Sequence, residues 1–195
     1  MKDPSLEEGI LRFANMVGRA KNLIRSGWKE KAQIESPESI AEHMYRTAVI
    51  SMVLSDLQGL NTEKVLRMCL LDDLAETITG DLTPSKKKRG GLAESRRREG
   101  DALRQLLVPL PRSLSERYIT TWREAQSLRS KEARLVKSSD KLEMAIQAQE
   151  YISQNYDPRK LGQFITSAGR KILDPQTMKL LNVLKRNRNL FLQHR

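Results

Sequence analysis

The segment LLDDLAETITGD places four acids, Asp72, Asp73, Glu76 and Asp81, within ten residues of a chain that is otherwise strongly basic. Leu70, Leu71, Leu74, Ala75 and Ile78 surround them, so the helix they share is apolar on most sides and its burial takes the carboxylates with it. An ionised carboxylate without a partner in an interior costs roughly several kcal/mol, enough to make it take up a proton or bind a metal. Gly80 marks the C-terminal end of this helix, where the negative end of the macrodipole disfavours each acid by about 0.3–1 kcal/mol. Such a segment folds only where something positive sits among its acids.

Helix signals recur along the rest of the chain and convincing strand signals do not. Leu6, Ile10, Phe13, Ala14, Val17, Ala20 and Ile24 follow helical spacing over residues 5–25, Gly27 breaks the chain, and 28–36 reads as a connector. Ser36-Pro37-Glu38 offers an N-cap, a proline at the first helical position and an acid in the first turn, predicting a helix of about 20 residues up to Gly59. Asn61 caps the next, which should run to about Thr79 and carry the acids. Further helices are expected near 93–108, from Ser113 with Glu116 as a capping box, over 130–153, and after Asp157-Pro158 and Asp174-Pro175. The expectation is an all-α bundle of about six to eight helices in a single domain.

The net charge of +11 invites a nucleic-acid reading. More than half of the excess lies within residues 86–98, where Lys86, Lys87, Lys88, Arg89, Arg96, Arg97 and Arg98 face one acid, Glu94. With Pro84 and Gly90-Gly91 nearby, the segment reads either as a solvated loop entering a helix or as a site for phosphate or a polyanion. Zinc-finger spacing and interleaved aromatics are absent, so nucleic acid is a possible partner but not the favoured one. No apolar run approaches 18 residues and the N-terminus MKDPSLEEG lacks the apolar core of a signal peptide, so the expected location is cytoplasmic, without membrane. The single cysteine, Cys69, lies in the apolar run VLRMCLL and reads as a buried structural thiol.

Of the two histidines, His194 is next to the C-terminal residue, which leaves His43. Ile40, Thr47 and Ile50 share its helical face, so it looks inward. A lone core histidine is usually a hydrogen-bonded structural residue, but the acids offer it another role. Asp140, in RLVKSSDKLEMAIQA, interrupts the buried pattern of Leu135, Val136, Leu142, Ala145 and Ile146. Buried acids on two helices and an inward histidine on a third are the set from which helical bundles build metal sites.

The order His43 in SIAEHMYR, Asp72-Asp73 in LLDDLAETITGDLTP and Asp140 in VKSSDKLEM resembles the HD-domain phosphohydrolases, in particular the HD-domain 5'-deoxynucleotidases. The likeness runs from RSGW at 25–28 through the RRREG stretch to the Asp140 helix, covering most of residues 10–155 as the core, with C-terminal helices over 158–193. It implies an all-helical fold, one divalent metal ion (Mn²⁺, Mg²⁺ or Co²⁺), a homodimer and hydrolysis of deoxynucleoside 5'-monophosphates. Residue by residue, it implies metal ligation by His43, Asp73 and Asp140, with Asp72 at the fourth position. Glu76 would activate the nucleophilic water and Asp81 would assist departure of the nucleoside 5' oxygen. Arg25 would lie near the phosphate and Trp28 would border the nucleoside. Each has a plain competitor: Glu76 as an ion-pair partner, Asp81 as a cap, Arg25 as a helix-end residue, Trp28 as corner packing.

One position departs from the family pattern. Where the signature has His-Asp, this chain has Asp72-Asp73, so the centre becomes one histidine and three aspartates. That set is harder and more negative, which favours Mg²⁺ or Mn²⁺ over softer ions. An aspartate is also shorter than a histidine, so the alternative is a catalytically impaired domain that binds a nucleotide or a partner without turnover.

Overall fold

The computed structural model describes residues 5–81 and 91–187. Within them the chain forms α1 (Leu6–Gly18), a 3₁₀ turn (Arg19–Lys21), α2 (Ser26–Ala32), α3 (Ile40–Gln58), α4 (Thr62–Asp72) and α5 (Glu76–Thr79). After the undescribed stretch come α6 (Leu92–Leu107), α7 (Arg112–Ser127), α8 (Lys131–Ser153), α9 (Pro158–Gly169) and α10 (Pro175–Arg186). The expected all-α architecture is present. Lys86 to Arg89 of the basic segment lie outside the described residues.

α8 is the centre of the bundle. It packs against α3, α4, α7, α9 and α10, and its 23 residues bury side chains around its circumference, from Leu135 and Val136 to Leu142, Ala145, Ala148 and Tyr151. A helix buried around its circumference lies in the interior, and its polar residues Ser138, Ser139, Asp140 and Glu143 are buried with it. Three apolar clusters surround it and share residues: Ile50 joins two of them, and Met144 and Ile165 join two. α1 and α5 close the far end by packing on α6.

Several helix starts follow local chemistry. Asn61 Oδ1 accepts from Lys64 N at 3.0 Å, Ser130 Oγ from Ala133 N at 3.3 Å, Asp157 from Arg159 N at 2.8 Å and Asp174 from Thr177 N at 2.7 Å. Others differ from the sequence reading. The connector expected over 28–36 is largely α2, and Gly27 lies within that helix rather than breaking the chain. α3 starts three residues later than Ser36-Pro37 suggests, because Ser39 and Glu42 form a reciprocal capping box. Pro37 and Glu38 instead run extended beside residues 23–25, held by Arg25 N to Glu38 O (3.0 Å) and Ile40 N to Leu23 O (2.7 Å). Ser113 does not cap α7, which starts at Arg112 after Pro111. The first helix stops at Gly18, and the helix expected over 61–79 breaks at Asp73.

Gly9 of α1 is where this end is tightest. A Cβ built there would fall 2.2 Å from the carbonyl oxygen of Pro109 in the α6–α7 connection. Gly9→Ala must push α1 off that backbone, an overpacking that costs about 1–3 kcal/mol. The expected result is a melting temperature lowered by roughly 2–4 °C per kcal/mol for a chain of this size, read by thermal unfolding.

Candidate metal centre

His43 comes from the second turn of α3 and is 1% exposed. Its Nε2 faces two carboxylates on two other helices, Asp73 Oδ2 at 3.4 Å and Asp140 Oδ1 at 3.5 Å. Its Nδ1 contacts Oε2 of Glu143, one turn along α8 from Asp140 and fully buried. A carboxylate that holds one ring nitrogen orients the other, the usual support behind a metal-binding imidazole.

The break in α4 serves this arrangement. α4 ends at Asp72, Asp73 takes φ −99° and ψ 6°, and the chain turns through Glu76 N to Asp73 O (3.0 Å) before α5 begins. The turn delivers Asp73 to His43 and leaves Asp72 facing α7, where its Oδ1 accepts from Gln126 Nε2 at 2.7 Å. Glu76 opens α5 and is buried.

The charges are distributed unevenly. Burial works against an ionised Asp140, yet Lys137 Nζ at 3.0 Å, Lys141 Nζ at 2.9 Å and His43 hold its carboxyl well below the usual range. Asp73, also opposed by burial, is held at about 2 by His43. Burial pushes Asp72 up to about 6, with Asp73 and Asp140 adding to the rise and Lys137 and Lys141 opposing it. For His43, burial and Arg25 disfavour the imidazolium, but Asp140, Asp73 and Glu143 outweigh them and raise its pKa well above the ordinary value. A proton on Nε2 balances part of the negative charge of these acids. A divalent ion bound there would displace it, so ion binding and proton release are linked.

Behind the imidazole lies a second set of acids. Glu38, His43 and Glu143 each bring an oxygen or nitrogen within 4.8 Å of the others, a spacing that could hold an ion. A guanidinium already occupies it: Arg25 Nη1 stands 3.3 Å from Glu38, 2.6 Å from His43 Nδ1 and 3.5 Å from Glu143. Arg46 adds Nε at 3.0 Å from Glu143 and Nη1 at 2.7 Å from Glu150. On the Nε2 side the groups that face one another are His43, Asp73 and Asp140.

The other expected residues meet at a neighbouring cavity of about 260 Å³ lined by Arg25, Trp28, Asp81, Lys141, Phe164 and Lys171. Asp81 does act as a cap, but of an earlier segment than its own: its Oδ2 accepts from Ser26 N at 2.5 Å and Ser26 Oγ at 3.0 Å at the start of α2. Trp28 is a packing residue as well as a wall, with ring centroids 4.2 Å from Phe164 and 5.3 Å from Tyr151 and its N–H donating to Glu38 Oε1 at 2.9 Å. The sequence reading missed Glu38, Glu143, Lys137, Lys141 and Gln126. Glu143 carried a signal, an acid three residues beyond Asp140 on the same helical face; Gln126 carried none.

Removing Glu143 strips a buried histidine and two arginines of their shared partner. Glu143→Ala is expected to lose about 3–5 kcal/mol, measured by urea unfolding.

The chain is similar to known proteins along most of its length. The HD-domain family profile matches residues 17–178. The chain is 37% identical over 181 residues to the mouse 5'-deoxynucleotidase HDDC2, covering 93% of this chain and 89% of that protein. It is 36% identical over 186 residues to the 5'-deoxynucleotidase hdd1 of Schizosaccharomyces pombe, covering 93% and 91%. The crystal structure of the PH0347 protein from Pyrococcus horikoshii superposes with a TM-score of 0.74 at 29% identity, covering 90% of this chain and 98% of that one. With three helices bringing His43, Asp73 and Asp140 together in this order, and relatives matched along nearly the whole chain, the protein belongs to the HD-domain family.

Proposed function

We propose that the protein is a metal-dependent phosphohydrolase that removes phosphate from deoxynucleoside 5'-monophosphates. The observation that carries this reading is the buried imidazole with Asp73 and Asp140 at its Nε2 and Glu143 at its Nδ1. The names of the mouse and fission-yeast relatives, both 5'-deoxynucleotidases, support the substrate class. His43, Asp73 and Asp140, with Asp72, hold one divalent ion, and the oxygen-rich set suits Mn²⁺ or Mg²⁺, with Co²⁺ a further candidate.

When bound, such an ion would supply Lewis-acid chemistry, polarising the phosphoryl oxygens and making a water molecule more acidic. The chain's own residues do the rest. Arg25 and Lys141, both at the cavity, bring positive charge to the phosphate. Glu76 takes the proton from the attacking water. As the P–O5' bond breaks, Asp81 gives a proton to the departing oxygen, and the products are inorganic phosphate and a nucleoside. Trp28 and Phe164 form an apolar wall for the nucleoside.

Phosphate release from a panel of deoxy- and ribonucleoside 5'-monophosphates tests the reading. Turnover with Mn²⁺ should be abolished by EDTA and restored by added ion. Glu76→Gln should lower kcat by about 10²–10⁴-fold with the fold intact. No release by the native chain with any of the three ions would favour the alternative, a binding domain disabled at Asp72.

A different observation supports a homodimer. Tyr45, Val49, Met52, Val53 and Leu57 are exposed along one stripe of α3, with Tyr45 and Leu57 each 73% exposed. A continuous apolar stripe on an otherwise charged surface suits a second copy of the same chain, packed about a two-fold axis. Light scattering should give twice the chain mass for the native protein and the chain mass for Tyr45→Lys/Leu57→Lys. We place the protein in the cytoplasm, consistent with the lack, among the described residues, of a helix long and apolar enough to cross a membrane. Arg97 and Arg98 of the basic stretch pair with Glu94 at 2.9 Å each, so part of its charge is compensated on its own helix.

A further inference from the structure

The carboxylate of Asp72 is held by one hydrogen bond from another helix. Gln126 Nε2, on α7, donates to its Oδ1 at 2.7 Å. Among the described residues, no hydrogen bond or ion pair falls on Asp72 Oδ2. Gln126 is half-buried, on a helix whose fully buried residues are apolar, Ile119, Trp122 and Ala125. An amide placed there has a specific use.

We infer that Gln126 is a positioning residue that fixes the Asp72 carboxylate so that its Oδ2 completes an oxygen-rich metal centre, and that residues 72 and 126 are functional only as a matched pair. The inference rests on the proposed metal site and extends it to a residue outside that site.

The physical argument concerns donors and acceptors. An aspartate has only acceptors when ionised, so its partner must be a donor, and a glutamine amide supplies N–H without adding charge. Glutamate at 126 would set two carboxylates about 2.7 Å apart, a contact they keep only by sharing a proton and otherwise break by turning away, and either outcome disturbs Asp72 as an anionic ligand. A histidine at 72 reverses the requirement. Its ligating nitrogen leaves the other ring N–H needing an acceptor, which a carboxylate provides best. The same change at 126 should therefore harm the native centre and help the Asp72→His centre.

Mn²⁺ binding measured by isothermal titration calorimetry tests this on the native chain and on Gln126→Leu, Gln126→Glu, Asp72→His and Asp72→His/Gln126→Glu, with circular dichroism confirming the fold of each. Loss of a partner that orients a ligand weakens metal binding by about 10- to 100-fold, the effect expected for Gln126→Leu and Gln126→Glu. Asp72→His/Gln126→Glu should bind more tightly than Asp72→His alone, a reversal of sign that a merely structural role for Gln126 would not produce. Native-like affinity in both single Gln126 variants, or the same direction of effect in both backgrounds, overturns the inference and leaves the metal centre standing. Absence of Mn²⁺ binding by the native chain overturns the metal centre and the inference together.

Discussion

His43 meets a carboxylate at each ring nitrogen, and this contact fixes how α3, α4 and α8 sit against one another. An imidazole at 1% exposure with acids on both sides is stable only if the acids are themselves compensated. Lys137 and Lys141 compensate Asp140, while Arg25 and Arg46 compensate Glu143 and, with Glu38 and Glu150, extend the array to the surface. Lys137 and Lys141 lie on α8 itself, Arg46 on α3 and Arg25 just before α2, so the array forms only when these elements are assembled.

The two sides of the imidazole carry different work. On the Nδ1 side every acid already has a guanidinium, and that side is a rigid support. On the Nε2 side Asp73 and Asp140 stand 3.4 and 3.5 Å away, with Lys137 and Lys141 beside Asp140. Acids gathered this closely demand positive charge, whether from side chains or from a bound ion. The apolar clusters around α8 lower the local dielectric and sharpen that demand, and they bury Cys69, whose thiol is pushed up to about 12 and is chemically quiet.

Much of the site was legible because it obeys local rules. The acids of LLDDLAETITGD and Asp140 stand out against apolar patterns, and the resemblance carried by SIAEHMYR and VKSSDKLEM ordered them. The caps at Asn61, Ser130, Asp157 and Asp174 involve residues two or three apart, so sequence spacing suffices to find them. Ser36-Pro37-Glu38 misled for the opposite reason. It has the composition of a cap, but Glu38 is drawn to Arg25, Trp28 and Tyr151, the last 113 residues away. The break at Asp73 was equally hidden, since an apolar run with acids in it reads the same whether or not the helix turns.

The sequence by itself determined the helical class, the inward face of His43 and the need for a cation among buried acids, because periodicity and desolvation act on neighbouring residues. Tertiary structure decided which nitrogen of His43 meets which acid, that Asp81 caps α2, and that Asp72 pairs with Gln126 across 54 positions of chain. Hydrogen bonds are directional and short, so partners remote in the chain are chosen only when packing sets the helices at their final separations and angles.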